Sequence, residues 1–349
     1  MSRLVRARVH PSPAAADPSG GRPSSPPSDA LRSRSLGPWL RVGCGLGLLW
    51  ILLQQTSLPA VWSALGAAGE RWTLLIVAAM MPGVGWTLGV LRWRSLLASI
   101  GVHVPALRLF KALLVASFFN HFLPSTIGGD VVRGWWLGRD VGSTSRSLTV
   151  VGLDRLMGLL GVCLVGLLAA AARPSLARDL PHIWIVIAVV AAVTAGAALS
   201  AHPRTVALAR RLFSFRLLQP LDGVAGAVLG VLGALRENKR AAGTALALSM
   251  GLQLVIVLQY WILSSALGVD LSAATLAILV PIVTLVSLLP ISINGIGLRE
   301  SALAVLGAPF GLEASEAVAL AWLFLAFQFV WAMAGGVVYL AGGREGGPR

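Results

Sequence analysis

The sequence predicts an all-α polytopic membrane protein with six full spans, two re-entrant elements and an inverted repeat. Three observations carry that expectation: the composition, a series of eight apolar runs, and a matching pattern of Pro and Gly breaks in two of those runs. The 349 residues are 56% hydrophobic and only 12% charged. A soluble domain carries about twice that charged share, because its surface must face water. The mean hydropathy of +0.80 points the same way. Apart from Lys111 and Lys239 every cation is Arg, which with the wealth of Ala, Gly, Leu and Val suggests GC-rich coding and a bacterial source. Cys44 and Cys163 both fall in apolar runs, so a disulfide framework is not indicated.

Residues 1–38 hold seven prolines among Ser, Ala and Arg, without an apolar period. Such a segment buries too little surface to offset its ordering entropy and is expected to be a disordered tail. It does not read as a signal peptide, because the first apolar run starts only after Pro38 and is too long for an h-region. A membrane domain is expected over 39–341, with halves at 39–172 and 183–341 and a short tail at 342–349. Within it the first run lies in Val42–Gly69, centred on Trp39–Gln55, and the second is Trp72–Leu91. The third, Ala112–Gly129, is interrupted by Asn120, His121, Pro124 and a Gly pair. The fourth, Leu148–Ala172, is interrupted only by Asp154 and Arg155. The fifth is Ile183–Ala201 and the sixth lies in Ala241–Val269. The seventh, Leu271–Leu298, is broken by Pro281, Pro290, Asn294, Gly295 and Gly297, and the eighth lies in Ala317–Gly343. Each run is long enough for a core of about 30 Å at about 1.5 Å per residue.

The positive-inside rule orders these runs. Seven Arg up to Arg41 place the N-terminus in the cytoplasm, and Arg92, Arg94, Arg108 and Lys111 place the loop after run two there. A complete crossing by run three would put Arg133, Arg139 and Arg146 outside. It would also invert the later loops, placing the seven cations of 204–240 outside. If runs three and seven instead dip in and return, 24 of the 28 cations lie inside and both termini are cytoplasmic. Eight full crossings are the alternative.

The two broken runs also resemble each other. Leu123-Pro124 is followed by Gly128-Gly129 and Arg133; Leu289-Pro290 is followed by Gly295, Gly297 and Arg299, with each Arg nine residues after its Pro. Each half then reads span, span, re-entrant element, span, and the two halves have opposite orientation. Matched, Gly/Pro-broken segments in inverted halves point to a transporter's midplane site. Pro124 and Pro290 lack an N–H and interrupt the helical ladder, while Gly128, Gly129, Gly295 and Gly297 permit unusual φ or close approach. The alternative for each glycine is plain helix packing.

Arg133 and Arg299 are the candidates for an anionic headgroup, because a guanidinium pairs with phosphate through two N–H donors. Asp130 is placed to pair with Arg133 at i,i+3. Arg299 and Glu300 are adjacent and cannot face each other, so each needs a partner elsewhere. The alternative is a set of ion pairs that closes the re-entrant hairpins. Asp154 and Arg155 lie seven to eight residues into run four: on the order of 10 Å deep if the run starts at the interface, or at the headgroups if the span starts at Asp154. Asn120 offers a hydrogen bond to a helix or headgroup, and His121 can titrate. The five histidines are scattered without metal-ligand spacing, and Gly128-Gly129-Asp130 is too short for a nucleotide loop, so no cofactor is expected. The loop over 204–240 alternates Arg with apolar residues and suits a helix on an anionic leaflet.

Asn120-His121-Phe122-Leu123-Pro124 with Gly128-Gly129-Asp130-Val131-Val132-Arg133 resembles the N-x-x-L-P…G-G-D-x-x-R block of the lysylphosphatidylglycerol synthase transmembrane region, a flippase-like membrane protein family. Asp154-Arg155-Leu156-Met157-Gly158 is similar to its D-R-x-x-G element. Asn294-Gly295-Ile296-Gly297-Leu298-Arg299-Glu300 is similar to its N-G-x-G-x-R-E signature. The blocks stand in order, and the resemblance runs from about Trp39 to Tyr339. It implies that the region handles lipids. In bifunctional members it is implicated in moving aminoacylated phosphatidylglycerol between leaflets, and a separate C-terminal domain transfers the amino acid. That domain is not expected here, since the chain ends ten residues after Tyr339.

The resulting expectation is a non-enzymatic, flippase-like protein of the cytoplasmic membrane that moves a lipid or lipid-linked anion. Arg133 and Arg299 would hold the headgroup, with Asn120, Asp130, Asp154, Arg155, Asn294 and Glu300 completing the site. The expected partners are membrane lipids, with a synthase or glycosyltransferase as a further candidate. Two rivals stay open: a membrane enzyme or subunit in aminoacyl-lipid or polyprenyl-phosphate-sugar metabolism, and a non-transporting scaffold for a synthase. The net charge of +14 reads as topology and anionic-lipid attraction, not as a nucleic-acid footprint.

Overall fold

A computed structural model describes residues 37–54, 56–122, 128–178, 238–289, 292 and 294–342. Every regular element among them is helical. In order they are α1 (Gly37–Gln54), α2 (Leu58–Glu70), α3 (Trp72–Ser99), α4 (Ala106–Phe122), α5 (Gly128–Val141), α6 (Thr144–Ala172), α7 (Pro174–Arg178), α8 (Lys239–Leu267), α9 (Ala273–Ser287), α10 (Leu298–Gly307) and α11 (Ala314–Gly342), with a 3₁₀ turn at Ala308–Phe310. Run five, the basic loop apart from Asn238, Lys239 and Arg240, Pro124, Pro290 and both expected tails apart from Gly37, Pro38 and Gly342 lie outside the described residues.

Four helices, within α3, α6, α8 and α11, are long and apolar enough to cross a bilayer. At about 1.5 Å per residue their 28 or 29 residues reach about 42 Å, beyond the hydrocarbon core. α1 and α2 bend by 95° at the Thr56-Ser57 break, so the first apolar run is a bent pair, not one straight rod. Ser57 caps α2 by accepting the Ala60 N–H, and Pro59 fits the first turn. The polarity is inside out: Val337 and Leu340 are exposed, whereas Asp154, Gln253 and Glu300 are buried. An apolar exterior matches lipid, and charge is kept within the bundle.

α4 and α5 form a hairpin. Asn120 at the end of α4 accepts the Gly129 N–H through Oδ1 at 2.9 Å, which closes the tip. Arg108 near the start of α4 meets Asp140 near the end of α5 at 3.0 Å, which closes the base. The chain therefore enters and leaves at one end. A Cβ on Gly129 would collide with the Ala116 carbonyl, so the close approach of the legs requires glycine there. The second break is built differently. Asn294, Gly295 and Gly297 all have positive φ (52°, 77° and 81°), and this turn carries the chain from α9 into α10. Gly and Asn are the residues that tolerate this region.

The helix packing repeats. The starts of α3, α4, α5 and α6 correspond to those of α8, α9, α10 and α11 at offsets of 167, 167, 170 and 170 residues. α3 packs on α8 at the centre. Each of the other extensive packing pairs among these eight helices has a counterpart under exchange of the halves: α4–α11 with α6–α9, α3–α11 with α6–α8, α5–α6 with α10–α11, α4–α5 with α9–α10, α3–α4 with α8–α9, and α3–α6 with α8–α11. The central pair runs antiparallel. Ala78 meets Gln259, Gly85 meets Val255, Gly89 meets Leu252 and Arg92 meets Ser249, so numbers rise on one helix as they fall on the other. Arg71, beside the start of α3, donates to the Ser265 and Ala266 carbonyls at the end of α8 (2.8 and 3.2 Å). A cation there satisfies carbonyls that the helix leaves open and complements its dipole.

Candidate functional site

A cavity of about 1300 Å³ lies within the bundle, lined from α3, α4, α5, α6, α8, α9, α11 and the loop–helix junction at Asn294–Arg299. Its walls are largely apolar, with Trp86, Leu113, Leu156, Ile256 and Phe324 among them. The polar lining includes Arg92, Asn120, His121, Asp130, Arg133, Asp154, Arg155, Gln253, Asn294 and Arg299. Four arginines face two aspartates, an excess of positive charge in a mostly apolar cavity, which favours an anion.

On one side the charges form a chain. Arg92 Nε donates to Asp154 Oδ1 at 2.6 Å, and its Nη1 donates to Ser249 Oγ at 3.1 Å. Arg133 donates to Asp154 Oδ2 through both Nη1 and Nη2 at 3.0 Å. Arg133 Nε lies 3.0 Å from Asp130 Oδ1, an i,i+3 ion pair as the spacing predicts. Asp130 Oδ2 then accepts from Arg155 Nε at 2.6 Å. Trp93 lies under the Arg133 guanidinium, 4.9 Å from its ring centroid. Arg92, Asp130, Arg133 and Asp154 are all buried. Asp154 stands ten residues inside α6 and is 2% exposed, enclosed by the bundle. Removing one partner from such a cluster leaves an uncompensated buried charge, which costs about 3–5 kcal/mol.

Arg133 is therefore not a free headgroup ligand: two carboxylates and an indole already occupy it. Arg92 is the residue that sequence reasoning missed. The expected run ended at Leu91 and left Arg92 in a cytoplasmic loop, but α3 continues to Ser99 and carries Arg92 into the bundle. No Gly or Pro interrupts Leu91–Ile100, and that lack of a breaker was the available signal.

Arg299 stands differently. Its Nη2 reaches the Asn294 carbonyl at 3.5 Å, and its Nη1 is shielded from solvent with no hydrogen-bond partner among the described residues. Its guanidinium sits 5.2 Å from the Phe324 ring centroid. A smaller recess of about 180 Å³ holds Arg299 together with Asn120, Arg155, Tyr260, Thr284, Ser287 and Asn294. Arg155 comes from the first half of the chain and Arg299 from the second, so the recess brings the two halves' candidates together. The Arg155 side chain is 47% exposed and also belongs to the Asp130 pair. Glu300 does not line either cavity. It is 1% exposed, and its Oε2 accepts the Gly297 N–H at 2.8 Å, capping α10. It is thus not among the residues that the structure brings to the cavity wall. His121 Nδ1 lies 2.9 Å from the Ser117 carbonyl; an Nδ1–H there leaves Nε2 as an acceptor at the cavity wall.

A family model described as "Lysylphosphatidylglycerol synthase TM region" matches residues 39–336. The chain belongs to this family. The match spans both hairpin breaks, the Asp154-Arg155 element and Arg299, and so contains every residue of the cavity described above. No curated protein and no solved structure matches the chain. Membership makes this a multi-pass membrane protein of the lipid-metabolism or flippase type, consistent with its four spanning helices.

Proposed function

We propose that this member of the lysylphosphatidylglycerol synthase transmembrane-region family moves an anionic amphiphile between the leaflets of the cytoplasmic membrane, without chemical change to it. The observation that carries this reading is the recess where Arg155 and Arg299, from opposite halves, face one another's side of a mostly apolar cavity. Two guanidiniums beside Asn120 and Asn294 suit a phosphate, since each supplies several N–H donors in a fixed plane. The apolar wall suits the chains that accompany such a headgroup. The Arg92–Asp154–Arg133–Asp130 chain holds α3, α5, α6 and α8 around the recess and sets its field. Membrane lipids are thus the expected partners, and a neighbouring synthase or glycosyltransferase would supply or use the cargo.

The topology proposed with it has six full spans, two re-entrant hairpins and both termini in the cytoplasm. The closed base of the α4–α5 hairpin and the antiparallel α3–α8 pair support it. Labelling a single cysteine at position 140 separates it from eight crossings. In a chain with Cys44 and Cys163 replaced, Asp140→Cys reacts with an impermeant maleimide from the cytoplasmic face here, and from the outer face if run three crosses. The function is tested in proteoliposomes carrying labelled native lipids. Leaflet exchange by the wild type, lost in a folded Arg299→Ala variant, is the expected result; no exchange of any lipid by folded protein overturns it. Altered lipid chemistry without altered sidedness in a deletion strain would favour the enzyme reading instead.

A further inference from the structure

α8 carries Ser249, Gln253 and Gln259 in almost complete burial, at 2%, 0% and 1% exposure. Two of them have internal partners. The Ser249 hydroxyl donates to the Ala245 carbonyl at 2.8 Å and accepts from Arg92, and Gln259 Nε2 donates to the Ala78 carbonyl at 3.1 Å. Gln253 differs. Neither its Nε2 nor its Oε1 has a hydrogen-bond partner among the described residues, and it lines the main cavity. A primary amide with both ends unmet is costly in a low-dielectric interior. Leu or Met would fill similar space without that cost, so packing does not account for the residue.

Its place gives it a meaning. Ser249, Gln253 and Ile256 stand at i, i+4 and i+7, on one face of α8. Ser249 abuts the Arg92–Asp154 pair, and Ile256 borders the recess with Arg155 and Arg299. Gln253 is thus between the two charged groups, about 4–5 Å along the helix axis from Ile256. Gln253 lines the main cavity and not the recess itself, so a headgroup held in the recess meets it through the part that extends into the main cavity.

We propose that Gln253 is a donor–acceptor subsite for a hydroxyl group on the cargo's headgroup, and that it selects among anionic amphiphiles. This rests on the reading of the recess given above. The amide presents two donor hydrogens and one acceptor oxygen. A phosphate oxygen or ester carbonyl only accepts and leaves Oε1 unmet. An ammonium only donates and leaves Nε2 unmet. A hydroxyl does both, and so answers both ends of the side chain.

The test compares two probes on the purified full chain in nanodiscs, dioleoylphosphatidylglycerol and dioleoylphosphatidylmethanol. They share acyl chains and a single negative charge, and only the first bears headgroup hydroxyls. Native mass spectrometry of competitive loading is expected to show the wild type preferring the first by about tenfold, the scale of one or two added hydrogen bonds. Gln253→Leu and Gln253→Met should erase the preference by weakening only the hydroxylated lipid, whereas Arg299→Ala weakens both alike. Without added lipid, Gln253→Leu should melt no lower than the wild type, since it breaks no internal hydrogen bond. Equal binding of both probes by the wild type, with both still weakened by Arg299→Ala, overturns the Gln253 assignment and leaves the recess standing. A preference kept in both Gln253 variants, or a Gln253→Leu protein melting well below the wild type, overturns it too. Failure of both probes to bind overturns the recess and the Gln253 assignment together.

Discussion

Arg133 and Arg299 are each nine residues beyond a Leu-Pro pair, and the fold treats them in opposite ways. Arg133 is tied to Asp154 by two hydrogen bonds, lies in ion-pair range of Asp130 and stacks over Trp93. Arg299 has one long bond to a backbone carbonyl, an unpartnered Nη1 and a phenyl ring beneath it. Neutralised charge holds helices together, and under-satisfied charge attracts a ligand. The repeat therefore supplies one scaffold twice, and in the function proposed above the two tasks are divided between its halves. The asymmetry comes from the counter-charges: α6 brings Asp154 to the first half, whereas position 324, offset by the 170 residues that separate α6 and α11, is Phe.

The sharpest way to break that division is Asp154→Ala. It strips the counter-charge from two buried arginines and is expected to cost about 3–5 kcal/mol. Thermal unfolding in detergent measures it, and a melting point near that of the wild type would end the structural reading of the cluster. Arg299→Ala should do the reverse, weakening anionic-lipid binding about 10- to 100-fold, the worth of charge-assisted hydrogen bonds, while leaving the melting point within a few degrees. Gly129→Ala forces a methyl onto the Ala116 carbonyl and should destabilise the hairpin by about 1–3 kcal/mol. Its lipid binding should fall in step with the folded fraction and no further. Glu300→Gln is the mildest. The amide oxygen still accepts the Gly297 N–H, so stability should drop by less than about 1 kcal/mol. Lipid affinity should be unchanged, whereas a large loss would return Glu300 to the headgroup site.

Much of the scaffold was legible. Charge-free runs gave the spanning helices, the Pro and Gly positions gave both breaks, and the Asp130–Arg133 spacing gave an ion pair that the structure contains. Arg92, Gln253 and the capping contact of Glu300 were not legible. In a soluble helix an apolar stripe tells which face is buried. In a membrane helix lipid and core are equally apolar, so periodicity does not distinguish them. Arg92 at the end of an apolar run therefore reads as a loop cation, although α3 turns it inward to a carboxylate 62 residues away.

By itself the sequence determined that the chain lives in a membrane, where its helices break, and which charged residues stand beside those breaks. These are local properties, set by hydropathy, by missing N–H groups and by backbone freedom at glycine. Only the tertiary structure decided which of those charges are neutralised. Ion pairs between α3, α5 and α6 and the shared recess of Arg155 and Arg299 join residues that are distant in the chain. What an arginine can bind depends on the partners that packing brings to it, and those partners are set by how the two halves meet.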